Sequence, residues 1–367
     1  MLGLFVRKHA QAAVSAGYKI SVAYAEPGLT IKSRELFSTE IRSENNLTEV
    51  IESYRPADGI SGITRQIIAW NLAVKTAVQQ NGRPQLIHAH VLTRAALLAF
   101  WYSMRWNIKF VITEHWSRYY AENFQYKGWL RKVITRFVVR KAAKVTVVSN
   151  RLAASMKQQS LGGNFILIPN VVDTRLFNIA ERVAGKFRIV SISCFEEKSK
   201  NLKMLIDAFS LLSEKKKDVE LVLIGEGVDL EMIKRYAFEK KPPAGSIRFT
   251  GMLQGKALAN ELQQASCLAI TSNYETFAIV AYEAMACGVP VVATDVADLQ
   301  TFIKMDSGRV VPVGDSIAFA DALQEVIEHQ SDFDRVAMRL RVEQQYSFAT
   351  VADKLSELYS IIPEKKQ

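Results

Sequence analysis

Two glutamates, Glu275 and Glu283, lie in the stretch Ser272-Asn273-Tyr274-Glu275-Thr276-Phe277-Ala278-Ile279-Val280-Ala281-Tyr282-Glu283-Ala284-Met285-Ala286-Cys287-Gly288-Val289-Pro290. The pattern predicts a strand ending near Thr271, a tight loop, and a helix starting near Phe277. In an open α/β sheet such a loop sits at the carboxyl edge, where ligands bind, and the helix offers free N–H groups to phosphate oxygens. Glu275 falls in the loop and Glu283 about two turns inside the helix. Both carboxylates can therefore face one crevice, one against a sugar and the other against the vicinal hydroxyls of a ribose. The plainer alternative makes Glu275 a helix cap and Glu283 a solvated charge. Ala284, Met285, Ala286 and Val289 leave little polar surface around Glu283, and a carboxylate embedded there needs a partner.

Other candidates are single residues. Lys200 ends a charged run, Glu196-Glu197-Lys198-Ser199-Lys200, where a lysine is ordinarily solvated. His115 stands at a strand end beside Trp116, either as a ligand contact or as a half-buried structural ring. His88 and His90 alternate along one strand and are expected on opposite faces, with His90 nearer the carboxyl end. Gly225-Glu226-Gly227 follows a strand but lacks the third glycine of a dinucleotide fingerprint, which excludes an NAD site.

The elements that must position these residues alternate along the chain. Strands are predicted at 19–23, 86–90, 110–113, 145–148, 187–193, 219–224, 247–250, 268–271 and 289–293. Helices are predicted near 60–80, 93–104, 128–142, 150–159, 201–214, 229–239, 255–265, 279–286 and 315–329. Repeated strand–helix–strand with nearly continuous apolar strands predicts α/β architecture with parallel sheets covered on both faces, here two doubly wound, Rossmann-like domains. They are placed at 1–178 and 186–345, with a boundary in 178–186. A last amphipathic helix and tail at 346–367 is expected to pack back towards the N-terminal domain, with Glu364–Gln367 frayed. The helical pattern begins almost at Met1, so a central strand is read as missing from the N-terminus.

Of 367 residues 49% are hydrophobic, enough for each domain to bury its own core. The longest mainly apolar run, Ala95 to Met104, is about half of a membrane-spanning helix. Arg7 and Lys8 follow rather than precede the apolar start, the reverse of a secretory signal. Cys194, Cys267 and Cys287 have neither disulfide nor zinc spacing. A cytoplasmic protein is expected. Its 47 basic against 37 acidic residues, net +10, favour polyanionic partners without choosing among them.

The sequence resembles the retaining glycosyltransferases of the GT-B fold (glycosyltransferase family 4, glycosyl transferases group 1). Glu275 and Glu283 match its E-x7-E pattern. His88-Ala89-His90, Thr113-Glu114-His115, Ile168-Pro169-Asn170-Val171-Val172-Asp173, Lys200-Asn201, Gly225-Glu226-Gly227 and Phe249-Thr250-Gly251 match further landmarks in order. Gly3–Ala10 looks like the family's first helix, which usually follows a strand and glycine loop.

The resemblance implies two domains facing a central cleft, acceptor in the N-terminal one and nucleotide-sugar donor in the C-terminal one. Lys200 would neutralise the diphosphate and Glu283 would hold the ribose. Glu275, with the backbone of Thr276, Phe277, Ala278 and Ile279, would hold sugar and phosphate. Gly225 belongs to the donor-binding loops, and His115 would reach the donor sugar. No metal or other cofactor is expected, helix N-termini and basic side chains replacing a divalent ion. Three departures stand out. The usual arginine before the lysine is absent from Ser193-Cys194-Phe195-Glu196. Thr276 and Ala278 replace glycines, and Val296–Gln300 replaces a glycine-proline-glutamate segment.

Basic residues cluster between 116 and 144: Arg118, Lys127, Arg131, Lys132, Arg136, Arg140, Lys141 and Lys144. They are interleaved with Trp116, Tyr119, Tyr120, Phe124, Tyr126, Trp129 and Phe137. This composition fits an anionic membrane surface near a glycan or lipid-linked acceptor, on the inner face of the cytoplasmic membrane, in polysaccharide or lipopolysaccharide synthesis. The alternative is a helix packed on its sheet that merely exposes a basic face. No nucleic-acid motif accompanies the patch, which argues against that partner. A rival reading is an inactive GT-B relative serving as a binding or scaffold protein.

Overall fold

The computed structural model describes residues 3–28, 35–92, 94–183 and 185–362, so the expected frayed ending Glu364–Gln367 lies outside the described residues. Helix α1 (Leu4–Ser15) buries Ala10, Ala12 and Ala13, and β1 (Ile20–Pro27) follows. Two strands then appear that the alternating pattern does not announce. β2 (Phe37–Glu44) and β3 (Leu47–Tyr54) pair antiparallel around Asn45, whose φ is 52°, and β1 joins β3 in parallel to give the order β1-β3-β2. Glu49 and Glu52 interrupt the apolar run of β3, yet both are buried. Arg7 Nε lies 3.2 Å from Glu49, and Thr39 Oγ1 donates to Glu52 at 2.6 Å, so neither carboxylate is left without compensation.

Next come α2 (Gly59–Asn81), β4 (Leu86–His90), α3 (Arg94–Trp106), β5 (Lys109–Glu114), α4 (Trp129–Lys141), β6 (Lys144–Val147), α5 (Asn150–Gln158) and β7 (Phe165–Leu167). The sheet order is β4-β5-β6-β7. Ser149 starts α5 by accepting from the Leu152 N–H at 3.2 Å.

The remainder runs β8 (Phe187–Ile192), α6 (Glu197–Lys200), α7 (Leu202–Lys215), β9 (Val219–Ile224), α8 (Leu230–Glu239), β10 (Ile247–Gly251), α9 (Gly255–Gln263), β11 (Cys267–Ile270) and α10 (Ile279–Ala286). It continues with β12 (Val291–Thr294), α11 (Leu299–Phe302), β13 (Gly308–Val311), α12 (Ser316–Glu328), α13 (Arg335–Tyr346) and α14 (Phe348–Ser360). Strands β8 to β13 form one parallel six-stranded sheet of order β10-β9-β8-β11-β12-β13. Order reverses between β8 and β11, which is the switch point of a doubly wound sheet. Ile189, Val190, Leu221, Val222, Leu268 and Val292 are fully buried in its centre, with Leu205, Ile206 and Phe209 of α7 and Leu323 of α12 in the same core.

By compactness the chain divides into two units. One comprises Met1–Ile112, Ala142–Lys144 and Phe348–Gln367, and the other Thr113–Lys141 and Val145–Ser347. Neither is continuous in sequence. Within the first, α14 packs on α1.

Candidate active site

The switch point of the six-stranded sheet places two loops side by side. The loop after β8 leads into α6 and ends at Lys200. The loop after β11 carries Ser272 to Ala278 into α10. Backbone and amide bonds lace them together: Asn273 N–H donates to Ser199 O at 2.8 Å, Thr271 Oγ1 to Lys200 O at 3.0 Å, and Asn201 Nδ2 to Asn273 Oδ1 at 3.2 Å.

Lys200 Nζ donates directly to Glu275 Oε1, and Ser272 Oγ donates to the same oxygen at 3.0 Å. The two charged side chains are 20% and 18% exposed, so the pair sits at the mouth of the loops rather than in bulk water. Burial alone would lower the Lys200 pKa; the neighbouring Glu275 carboxylate outweighs it and holds the ammonium protonated.

Backbone strain concentrates around these loops. Phe195, buried, has φ 39°, Asn201 has φ 49°, and Ala278, the residue capping α10, has φ 57°. Left-handed backbone at a residue with a Cβ costs about 1–2 kcal/mol. At Gly225 a side chain has no room: φ is +132°, and a Cβ would lie 1.8 Å from Ser193 O.

A third segment from the same compact unit completes a cavity of about 300 Å³, lined among others by His115, Trp116, Arg118, Cys194, Lys200, Tyr274, Glu275 and Thr276. Glu114, fully buried, positions this segment. Its Oε1 accepts the His115 and Trp116 N–H groups at 2.8 Å each, and Oε2 accepts the Tyr119 hydroxyl at 3.0 Å. Burial, reinforced by the Glu114 charge, pushes the Tyr119 pKa well up, so this hydroxyl stays a donor. Asn123 Nδ2 donates to Ser117 Oγ at 2.9 Å, and Lys198 Nζ to Asn123 O at 3.3 Å, fastening the segment to the β8 loop.

Of the residues singled out from sequence, His115, Lys200, Glu275 and Thr276 meet around this cavity. Phe277, Ala278, Ile279, Gly225 and Glu283 do not line it. The Phe277 ring is tilted against Tyr282 at 4.7 Å and meets Tyr346 edge-on at 5.4 Å, and Glu283 is buried in α10. His88 and His90 correct the expectation of opposite faces. Their rings stack at 4.5 Å, because residues two apart on a strand share a side. Glu114 and Arg118 were not marked as site residues by sequence reasoning. For Glu114 the usable signal was a carboxylate directly before a strand-end histidine.

The sequence and the fold match known proteins. The family described as Glycosyltransferase Family 4 matches residues 2–176, and Glycosyl transferases group 1 matches residues 173–344. The chain belongs to this family of GT-B glycosyltransferases. A phosphatidyl-myo-inositol mannosyltransferase of Mycobacterium leprae is 30% identical over 244 residues, 64% of this chain and 61% of that protein. The match thus spans about six tenths of that relative's length. Among solved structures, sucrose-phosphate synthase from Thermosynechococcus elongatus aligns with a TM-score of 0.77 at 20% identity, covering 97% of this chain and 92% of that one. Anabaena HepE in complex with UDP and glucose aligns at 0.68 and 19% identity, covering 86% and 87%. These structural likenesses show the fold.

Proposed function

We propose that this chain is a retaining hexosyltransferase that takes its sugar from a nucleoside diphosphate sugar and passes it to a glycan or lipid-linked acceptor. The observation that carries the reading is the convergence of Lys200, Glu275, Thr276 and His115 on one cavity beside the switch point of a doubly wound sheet. Lys200 stabilises charge developing on the departing diphosphate, and the N–H groups entering α10 add to it. Glu275 and His115 orient the donor sugar; Glu283, outside this cavity's lining, is assigned the ribose on the E-x7-E pattern alone. The chemistry is metal-independent in this reading, so a chelator leaves the rate unchanged.

The mannosyltransferase relative carries a phospholipid in its name, which supports a lipid-linked acceptor here. The surface supports a site on the inner face of the cytoplasmic membrane. Helix α4 exposes Trp129, Val133 and Phe137 at helical spacing, with Arg131, Arg140 and Lys141 also exposed. That stripe favours the membrane reading over a helix showing only its basic face. In the first unit, α2 and α3 contain no acidic residue and expose Ile60, Ile63, Ile67, Trp101 and Met104. Among the described residues no helix is long and apolar enough to cross a membrane.

Thermal unfolding against UDP, GDP, ADP and CMP and their sugars tests the donor site, since a ligand at a hundred times its Kd adds about 2.7 kcal/mol. One nucleotide should raise the midpoint, and its sugar should yield a product whose anomeric configuration, read by NMR, matches the donor. No shift with any of them overturns the reading in favour of an inactive scaffold. Flotation with anionic and neutral liposomes tests the membrane surface; failure with both sinks that part.

A further inference from the structure

The cavity's charges do not balance a phosphorylated ligand as they stand. Lys200 is engaged with Glu275, and Glu196, also at the lining, accepts Ser199 Oγ at 2.6 Å. The loop after β8 holds Cys194 and Phe195 ahead of that glutamate, and its other cation, Lys198, donates to Asn123 O and does not line the cavity. A diphosphate entering here meets one lysine already neutralised and one further carboxylate.

Arg118 lines the same cavity from the segment held by Glu114. Its guanidinium lies over the Trp116 ring, 3.8 Å from the centroid, a cation–π contact that restrains the side chain. Among the described residues it makes no ion pair, and its Nε is buried without a hydrogen-bond partner. Burial lowers the Arg118 pKa, partly offset by Tyr119 and Glu114, but a guanidinium stays protonated. A planar, charged, pre-oriented fork with unused donors is the side chain best suited to bidentate phosphate recognition.

We propose that Arg118 is a phosphoryl-binding residue of this cavity and supplies the positive charge missing from the loop before Lys200. The phosphoryl group belongs to the donor's diphosphate or to a phosphorylated acceptor. The inference deepens the donor-site reading and rests on it only for the source of the phosphate. Trp116 acts as the platform that holds the fork open, and Glu114 keeps the platform in place.

The test is calorimetric binding of inorganic pyrophosphate, inorganic phosphate, UDP and uridine to the full chain, comparing wild type with Arg118→Ala and Arg118→Lys. Wild type should bind pyrophosphate, and Arg118→Ala should weaken it about ten- to a hundredfold, as for a lost hydrogen bond to a charged group. Arg118→Lys should recover part of the loss, since charge returns without the fork. Uridine should be indifferent to both variants. A parallel loss for UDP assigns the phosphate to the donor. Weakened phosphate and pyrophosphate with unchanged UDP assigns it to the acceptor. Loss of pyrophosphate binding in a protein that never binds UDP keeps this proposal and overturns a UDP donor site. Equal pyrophosphate affinity in wild type and both variants, or none in wild type, overturns the proposal.

Discussion

In the second compact unit Lys200 and Glu275 are held as a charged pair, whereas in the first unit His9, His88 and His90 are gathered as rings. The His9 and His90 centroids are 5.6 Å apart, and His88 Nδ1 lies 2.8 Å from the Tyr359 hydroxyl. Burial, with the nearby His9 charge, drives the His88 pKa down to about 3. The pair therefore keeps its charges in a partly dry place, and His88 is kept neutral in a buried one. A paired charge can exchange its partner for a ligand's phosphate. The neutral His88 ring has no charge to exchange and serves to join α14 to β4.

The largest expected effect breaks the charged side of this contrast. Lys200→Ala strands Glu275 beside an incoming anion, and sugar transfer should fall by about 10²–10³-fold in kcat/KM, the scale of losing one oriented electrostatic group. Steady-state kinetics with the active donor decides it, and unchanged kcat/KM would remove Lys200 from the site.

Glu114→Ala should come next. It deprives the His115 and Trp116 N–H groups and the Tyr119 hydroxyl of their acceptor. Unsatisfied buried donors cost about 1–3 kcal/mol each, so urea unfolding should show a loss of about 3 kcal/mol or more. Glu114→Gln, which keeps an acceptor oxygen, should recover part of it.

Acid should separate the two units. The folded His88 pKa of about 3 lies below its ordinary 6.5, so between those values the unfolded chain binds more protons. Stability is therefore full above about pH 6.5 and falls as pH drops towards 3, by up to about 1.4 kcal/mol per pH unit. Hydrogen exchange should show first-unit peptides around 86–90 and 348–360 opening at pH 5 before those of the six-stranded sheet. His88→Asn should flatten the profile.

Ala278→Gly should give the smallest effect and sharpen the contrast from another side. It relaxes the left-handed entry to α10 without altering charge, and should stabilise by about 0.5–1 kcal/mol in the same urea assay. A loss of stability would mean that the Ala278 methyl contributes more by packing than it costs in strain.

The sequence displayed the six-stranded sheet well because its first five strands are apolar runs separated by amphipathic helices. Strand β13 escaped notice because it is short and opens on Gly308, where a Cβ would sit 1.9 Å from Val291 O. Helix α13 buries only Met338 and Val342 and otherwise reads as polar. Its start was nevertheless written in Asp334, which accepts from the Val336 and Ala337 N–H groups. The hairpin of β2 and β3 was masked by buried glutamates that look like surface residues until Arg7 and Thr39 are placed beside them. At the site, Lys200, Glu275, Thr276 and His115 could be found by type and spacing. Arg118 could not, because its significance depends on which other cations are already paired.

Gly225 and Gly227 let the loops after β8 and β9 touch through bare backbone, a Cβ at either position lying 1.8 Å from a carbonyl oxygen. For anyone wishing to retune what this pocket accepts, that contact divides the protein into parts to leave alone and parts to vary. The frame around the two glycines has no side-chain volume to exchange, so changes there damage the scaffold before they alter choice. Diversity is better spent on Tyr274, Ser117 and Gln125, which line the cavity from segments that the frame merely supports.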